Sequence, residues 1–203
     1  MRLNNLLKNY EVDTILTRDK DIDVGLLQRA NMANSANVDF FISIHVNAGG
    51  GSGFESYRHP AASDKTASIQ AIIHRELANF FKGKGFIDRG IKTANYAILR
   101  ETKMAAILVE NLFIDSVKDA NFLKQETNRQ AIAQAICDGM VQALGLKKKT
   151  ENNSLDTVID AFVKAGIITS LEYWKQNAVE GKQCDGGYVA VLLQRIYEKY
   201  MKA

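Results

Sequence analysis

The fold is decided by the run Asp39-Phe40-Phe41-Ile42-Ser43-Ile44-His45-Val46. It is apolar at nearly every position, which is typical of a strand buried on both faces of a sheet. A second run of this kind, Ala105-Ala106-Ile107-Leu108-Val109-Glu110, follows further along the chain. Strands buried on both faces occur in largely parallel sheets that are covered by helices. The two runs therefore predict an α/β protein.

Helix and strand patterns alternate on either side of these runs. Further strands are predicted over residues 12–17, 54–58 and 96–99 from their apolar and β-branched content. Helices are predicted from apolar spacing over residues 3–10, 24–36 and 63–81, and as two helices within 116–144 that are broken near Gln125. This alternation predicts a mostly parallel sheet with helices on both faces.

A polar stretch divides the chain into a large and a small part. Residues 147–153 have no apolar periodicity and include Lys147-Lys148-Lys149, so they are predicted to form an exposed linker. The linker separates an α/β domain at residues 1–146 from a small all-α module at 154–203. Helical patterns at 155–165, 171–177 and 188–201 define this module, and Trp174 is expected to anchor its core.

Composition excludes several classes of protein. The 203 residues are 46% hydrophobic and 24% charged, close to the averages of globular domains, so disorder is not expected. Apolar runs are too short for a transmembrane helix, and the N-terminus lacks a signal-peptide pattern. The net charge of +3 comes mostly from Lys147-Lys148-Lys149, which does not predict a nucleic-acid-binding face. Cys137 and Cys184 are too few for a disulfide framework.

Two polar residues stand where chemistry is expected in such a sheet. His45 closes the first apolar run ahead of a glycine-rich loop, and Glu110 interrupts the second. Ligands of open α/β sheets bind beyond the carboxyl ends of the strands. An imidazole there can bind a metal or be a satisfied structural residue. A carboxylate in a buried strand can be catalytic, bind a metal or pair with an arginine. The residues alone leave these alternatives open.

Seven short motifs resemble, in chain order, the zinc-dependent N-acetylmuramoyl-L-alanine amidases of type 3. They are Leu16-Thr17-Arg18-Asp19, Leu27-Gln28-Arg29 with Ala33-Asn34, Ser43-Ile44-His45-Val46-Asn47-Ala48, Gly53-Phe54-Glu55-Ser56-Tyr57, Arg89-Gly90-Ile91-Lys92, Ala97-Ile98-Leu99-Arg100 and Ile107-Leu108-Val109-Glu110. The resemblance spans about residues 3–144. It implies a phage endolysin or bacterial cell-wall hydrolase that cleaves the amide between N-acetylmuramic acid and L-alanine in peptidoglycan.

The resemblance implies roles for four residues. His45 corresponds to the last ligand of a His, Glu, His zinc set, and Glu110 corresponds to the general base. Asn47 and Glu55 match positions near the substrate groove, and a role in holding the adjacent loop is equally open. The expected cofactor is Zn and the expected partner is peptidoglycan. Neither nucleic acid nor a membrane is expected as a partner, and the oligomeric state is not predicted.

Four features depart from the family pattern. The first strand, the first histidine and the glutamate ligand of the family precede the position of Met1. We therefore expect an N-terminally shortened amidase, or alternatively a non-catalytic remnant of the fold that binds peptidoglycan. Leu112 stands where the family usually has a glycine, and we expect it to narrow the groove.

The tail resembles short helical modules attached to phage and bacterial cell-wall hydrolases. A role in targeting the cell wall and a role as a packing or dimerising appendage both remain open. The resemblance places the site of action at the cell wall, reached by export or, for an endolysin, by release through a holin.

Overall fold

The structure is a computed structural model that describes residues 1–149, 155–179 and 181–202. Two compact units make up the chain, residues 1–149 and 150–203. The first unit contains α1 (Arg2–Leu7), α2 (Leu26–Ser35), β1 (Phe40–Asn47), β2 (Phe54–Arg58), α3 (Asp64–Gly83), β3 (Asp88–Thr93), α4 (Ala97–Arg100), β4 (Ala105–Phe113), α5 (Val117–Lys124) and α6 (Glu126–Leu144). The predicted α/β class is confirmed.

One four-stranded sheet with the order β1-β4-β2-β3 forms the centre of the first unit. β1 runs parallel to β4, and β2 runs parallel to β3. The two pairs meet where β2 runs antiparallel to β4. The mostly parallel sheet is therefore confirmed, with one antiparallel pairing in its middle.

Helices cover both faces of this sheet, as predicted. In β4, Ile107 and Val109 belong to the larger core, which α3 and α6 cover, whereas Ala106 and Leu108 belong to a smaller core beneath α2 and α4. This alternation follows from the period of two along a strand. Because β4 is buried on both faces, its apolar run needs no polar alternation.

Local sequence signals explain where the covering helices begin and end. Ser63 caps α3 by accepting a hydrogen bond from the Thr66 amide at 3.3 Å. The predicted break near Gln125 is confirmed, since that residue is extended between α5 and α6. At Gly139 a Cβ atom would lie 3.0 Å from the Cα atom of Ile73, so a glycine allows α6 to pack closely on α3.

Two predictions about strands are wrong, and one strand was not predicted. Residues 12–17 form no strand, because no neighbouring strand pairs with them, and Ile15 and Leu16 are exposed. Residues 96–99 are largely helical and belong to α4, which buries Ile98 and Leu99. The strand β3 was not predicted, since Asp88-Arg89-Gly90-Ile91-Lys92-Thr93 is mostly polar.

The predicted linker differs from the structure at its first residues. Lys147 accepts a hydrogen bond from the Glu11 amide at 2.8 Å, and the Lys149 amide donates to Asn9 at 2.8 Å. An isolated antiparallel bridge pairs Tyr10 with Lys148, between these two hydrogen bonds. The backbone of residues 147–149 is therefore part of the first unit, although the lysine side chains are exposed. Residues 150–154 lie outside the described residues.

The second unit contains α7 (Leu155–Lys164), α8 (Leu171–Asn177) and α9 (Gly186–Tyr200). These helices coincide closely with the three predicted patterns. Ile159, Ile168 and Trp174 form its small buried core. Nowhere in the described parts of the chain is a helix both long enough and apolar enough to cross a membrane.

Candidate active site

Three polar side chains form a row across the sheet on the face covered by α2 and α4. Glu110 of β4 is in register with His45 of β1 on one side and with Glu55 of β2 on the other. Residues in register point to the same face, and neighbouring strands lie about 4.8 Å apart. The sequence singled out His45 and Glu110 as separate candidates, and the strand register brings them side by side.

A bulge follows the row and shapes this end of the sheet. Beyond the His45 and Glu110 pair, the next partners are Asn47 and Phe113, so β4 uses one residue more than β1. Leu112 lies in this bulge with a φ of 72°, in the left-handed region where glycine is favoured. Its side chain is fully buried in the larger core. The expectation that Leu112 narrows the groove is therefore wrong, since it packs on the opposite face.

Glu110 is the unsatisfied group of the row. Its Oε2 atom is buried and has no hydrogen-bond partner. Burial, together with repulsion from the Glu55 carboxylate, raises the pKa of Glu110 to about 7. A carboxyl group with such a pKa can accept and return a proton near neutral pH.

Glu55 contrasts with Glu110 because it is buried but fully partnered. Only 2% of Glu55 is exposed, and it accepts hydrogen bonds from Tyr57 at 2.8 Å, Arg89 at 2.7 Å, Asn47 at 2.8 Å and Lys92. Burial favours its neutral form, but the hydrogen bonds from its cationic and phenolic neighbours outweigh burial and lower the pKa of Glu55. Glu55 therefore remains ionised beside Glu110.

Three of these partners were not among the predicted site residues. Arg89 and Lys92 lie on β3, the strand that the sequence did not reveal, and Tyr57 lies two residues after Glu55 on the same face of β2. The period of two along a strand was the available signal for Tyr57. The signal for the two cations was their presence in a family motif.

His45 occupies the exposed end of the row. Its Nε2 atom lies 2.9 Å from the Ser43 hydroxyl oxygen. Partial burial of the ring lowers the pKa of His45, and the nearby positive charge of Arg29 lowers it further. Arg29 is fixed by donating to the carbonyl oxygen of Val24 at 2.8 Å and to the Thr17 hydroxyl at 3.1 Å. The imidazole is thus favoured in its neutral form, which is the form that binds metals.

Two aspartates order the glycine-rich loop beside the row. Asp115 accepts hydrogen bonds from the Gly49 and Gly50 amides, both at 2.7 Å. Buried Asp119 accepts from the Ser52 hydroxyl at 2.6 Å and from the Gly53 amide at 3.0 Å. These contacts hold the backbone between β1 and β2 in a defined shape.

Gly53 ends this loop at a position that only glycine fits. Its φ is 107°, and a Cβ atom there would lie 2.3 Å from the carbonyl oxygen of Ile87. Asn47 starts the loop by accepting from the Ala48 amide at 2.8 Å while it donates to Glu55. The contacts of Asn47 and Glu55 favour the role of holding the loop, and contact of either residue with substrate stays a prediction.

The donors present do not make a complete metal site by themselves. Among the described residues, no group of three or more His, Cys, Asp or Glu is placed to hold a metal ion. His45 is the exposed imidazole at the row. His59 lies apart and contacts Asn95 at 3.3 Å, and His74 is buried on the other side of the sheet.

His74 belongs to a polar relay that resembles a catalytic triad in connectivity alone. The Ser56 hydroxyl oxygen lies 2.9 Å from its Nδ1 atom, and Asp88 lies 3.0 Å from its Nε2 atom. Gln70 donates to the same hydroxyl at 3.1 Å. Because only 1% of Ser56 is exposed, no substrate can reach it. The relay satisfies buried polar groups between β2, α3 and β3.

The family model described as N-acetylmuramoyl-L-alanine amidase matches residues 1–142. The chain therefore belongs to this amidase family, and the expected resemblance is confirmed. This chain is 45% identical over 168 residues to the sporulation-specific N-acetylmuramoyl-L-alanine amidase of Bacillus subtilis. The match covers 81% of this chain and 65% of that protein. It is 42% identical over 148 residues to the endolysin of Bacillus phage SPP1, covering 71% and 55%. The chain thus spans less than two thirds of these relatives.

Solved structures show the same fold. The catalytic domain of CwlV, an amidase from Bacillus (Paenibacillus) polymyxa var. colistinus, superposes with a TM-score of 0.66 at 29% identity, covering 72% of this chain and 80% of that one. An N-acetylmuramoyl-L-alanine amidase from Clostridium difficile 630 gives a TM-score of 0.67 at 27% identity, covering 71% and 78%. The coverage of this chain in both cases is close to the extent of its first unit.

Proposed function

We propose that the first unit is the catalytic part of a peptidoglycan amidase. The reaction is hydrolysis of the amide between the lactyl group of N-acetylmuramic acid and L-alanine, and the cell wall is the site of action. Family membership supports the reaction class. The observation that carries the proposal is the unpartnered Oε2 atom of Glu110, which lies in register with His45 and Glu55.

Glu110 supplies the proton transfers of this reaction. Its carboxylate takes a proton from water as the water oxygen bonds to the amide carbonyl carbon. The same group then gives the proton to the nitrogen of L-alanine as the carbon–nitrogen bond breaks. The products are a free lactyl carboxyl group on the glycan and a free amine on the peptide. A pKa of about 7 suits both steps.

Glu55 acts on this reaction through Glu110. Its negative charge is held in place by Arg89 and Lys92, and it opposes ionisation of its neighbour. We propose positioning as the role of Glu55, with Asn47 linking it to the glycine-rich loop.

Zinc dependence is part of the proposal, since the family is generally zinc-dependent. His45 would be the ligand that the described residues contribute, because its neutral ring is exposed at the row. When bound, zinc would polarise the carbonyl and acidify water. Three protein ligands are the usual minimum for such a site, and the described residues offer no such group.

The same shortage of ligands favours a second candidate function. A chain of this fold with a single imidazole at the row could bind peptidoglycan without cleaving it. The two candidates make opposite predictions for hydrolysis and for metal content.

Hydrolysis is tested by incubating the purified chain with cell walls and measuring newly exposed amino groups of L-alanine. Metal analysis of the same protein gives its zinc content. An amidase releases these amines without new reducing sugar ends, and Glu110→Gln abolishes the release. Glu101→Gln is the matched control, since it removes an exposed carboxylate that pairs with Arg100.

The outcomes separate the candidates. Release that depends on Glu110, in protein that contains zinc, supports the amidase. Cell-wall binding without release and without zinc supports the binding protein. If Glu110→Gln releases amines at the parent rate, the assignment of the general base is wrong.

A further inference from the structure

A cavity in the second unit is not used by the proposed reaction. Its volume is about 460 Å³, and it lies between residues 167–170 and α9. Small-molecule sites typically have volumes of about 300–1,000 Å³ with mixed apolar and polar walls. Trp174, Tyr188 and Val191 give this cavity an apolar wall, and Thr169, Asp185 and Arg195 give it a polar one.

The apolar wall contains a fixed aromatic surface. Tyr188 is 41% exposed, and its ring stacks on Tyr173 with centroids 3.9 Å apart and an angle of 13° between the planes. Trp174 meets the Tyr188 ring edge-on with centroids 6.4 Å apart. A ring held in this way offers a flat surface at little entropic cost, which suits the C–H face of a sugar.

The polar wall contains a cation that is held in position without a counter-ion. Arg195 donates from one terminal nitrogen to the carbonyl oxygen of Ile167 at 3.1 Å and to the Thr169 hydroxyl at 3.3 Å. No carboxylate of the described residues forms an ion pair with it. Asp185 also lines the cavity, but its carboxylate caps α9 by accepting from the amides of Gly187 and Tyr188. Glu198 and Lys199 line the adjoining surface beside Arg195 and carry opposite charges, so the positive charge of the cavity wall is that of Arg195.

These contacts define the ligand by its chemistry. A planar guanidinium with free donors recognises a carboxylate, and an adjacent aromatic face recognises an apolar sugar face. We propose that this cavity binds a glycan strand whose sugars carry a free carboxylate. The identity of the strand rests on the proposed function, since hydrolysis of the amide leaves a lactyl carboxylate on N-acetylmuramic acid. The second unit would then bind the product of the first.

The full chain reports directly on this binding, because Trp174 is its only tryptophan and lines the cavity. Its fluorescence is followed during titration with three probes. They are the disaccharide of N-acetylglucosamine and N-acetylmuramic acid, the same disaccharide with its carboxyl group converted to a methylamide, and the dipeptide L-Ala-D-Glu. We expect saturable binding of the acid form, with affinity reduced about tenfold or more for the methylamide and negligible binding of the dipeptide.

Variants of the full chain test the two walls separately. Arg195→Gln should lower affinity for the acid form to that for the methylamide, and Tyr188→Leu should weaken both. Lys202→Gln is the matched control, because it removes a positive charge that does not line the cavity, and it should change affinity less than twofold. Circular dichroism and thermal unfolding establish that each variant is folded. If Arg195→Gln unfolds the module, the comparison of the acid with the methylamide in the parent still decides the question.

Several results would overturn the proposal. They are no change in fluorescence with the acid form, equal affinity for the acid and the methylamide, tighter binding of the dipeptide, or self-association that fills the cavity. Hydrolysis of cell walls without saccharide binding would reject this proposal alone. Saccharide binding by a chain that never hydrolyses cell walls would instead reject the proposed amidase function.

Discussion

Two clusters of buried polar groups, one on each face of the sheet, are satisfied to different degrees. Beneath α3, the hydroxyl of Ser56, the ring of His74 and the carboxylate of Asp88 satisfy one another. Beneath α2 and α4, Glu55 is equally well satisfied, but Glu110 beside it has a buried oxygen without a partner. Leaving a buried polar atom unpaired costs about 1–3 kcal/mol.

This difference distinguishes the relay around His74 from the row that we propose to be functional. The relay around His74 has the connectivity of a catalytic triad but is closed to substrate. The row of His45, Glu110 and Glu55 has an exposed end and a carboxyl group whose pKa is shifted to about 7. A perturbed and unsatisfied group near solvent is a stronger sign of function than a familiar set of residue types.

The largest expected effect concerns catalysis on the two faces. Glu110→Gln should lower the rate of amine release from cell walls by about 10³-fold, since it removes the proposed general base. Ser56→Ala should leave that rate within about threefold, because Ser56 is buried on the opposite face from the row, although loss of its hydroxyl should lower stability by about 1–3 kcal/mol. Initial rates at pH 7 check both. A large loss of rate in Ser56→Ala would contradict the distinction between the faces.

The next effect concerns Glu55, the fully hydrogen-bonded carboxylate on the face covered by α2 and α4. Glu55→Gln should lower the free energy of unfolding by about 2 kcal/mol, since it leaves Arg89 and Lys92 without their anion, and both cations are partly exposed. Urea unfolding at pH 7.5 measures this. Glu76→Gln, which removes a carboxylate paired with Arg75 on the helix surface, serves as the control and should change stability by less than about 0.5 kcal/mol.

A smaller effect of opposite sign is expected at Glu110. Its pKa is about 7 in the folded chain, above the ordinary value of 4.5, so the parent loses stability as pH rises through this window. Glu110→Gln removes that loss. It should therefore stabilise the chain by about 1–2 kcal/mol at pH 8 and by little at pH 4, with allowance for partial access of water. Urea unfolding at both pH values checks the prediction, and equal effects at both would contradict it.

The smallest effect concerns His74, on the face beneath α3. Its contribution to stability depends on pH in the opposite direction to that of Glu110. Burial lowers the pKa of His74, an effect that Asp88 opposes and Lys82 reinforces, so the unfolded chain binds the proton more readily. The contribution of His74 to the free energy of unfolding is fully present above pH 6.5 and decreases as the pH falls below that value. His74→Asn should lower stability at pH 7.5 by about 1 kcal/mol and should reduce the further loss between pH 6.5 and pH 5. Urea unfolding of parent and variant across this range measures the difference.

The sequence predicted the parts of the fold that burial alone determines. The apolar runs became β1 and β4, and helical spacing located α3 and α6. It could not predict β3, because that strand is mostly polar and forms by pairing with β2, where Arg89 and Lys92 contact Glu55. It also assigned residues 12–17 to a strand, although β-branched content forms a strand only beside a partner.

The sequence likewise predicted some residues of the candidate site but not the contacts between them. His45 and Glu110 could be found because each is a polar residue at the end of an apolar run. The lack of a partner at Glu110 and the donors around Glu55 arise from strand register and the bulge at Leu112, which a sequence pattern does not specify. The roles assigned to His45, Asn47, Glu55 and Glu110 stay predictions.

The central claim is that Glu110 carries a proton near neutral pH because it is buried without a partner beside an ionised Glu55. NMR titration of the chain with ¹³C-labelled glutamate carboxyl groups, assigned with Glu110→Gln, measures this most directly. We expect a Glu110 pKa of about 7 in the parent and a lower pKa in Glu55→Gln. A Glu110 pKa near 4.5 in the parent, unchanged by Glu55→Gln, would contradict it.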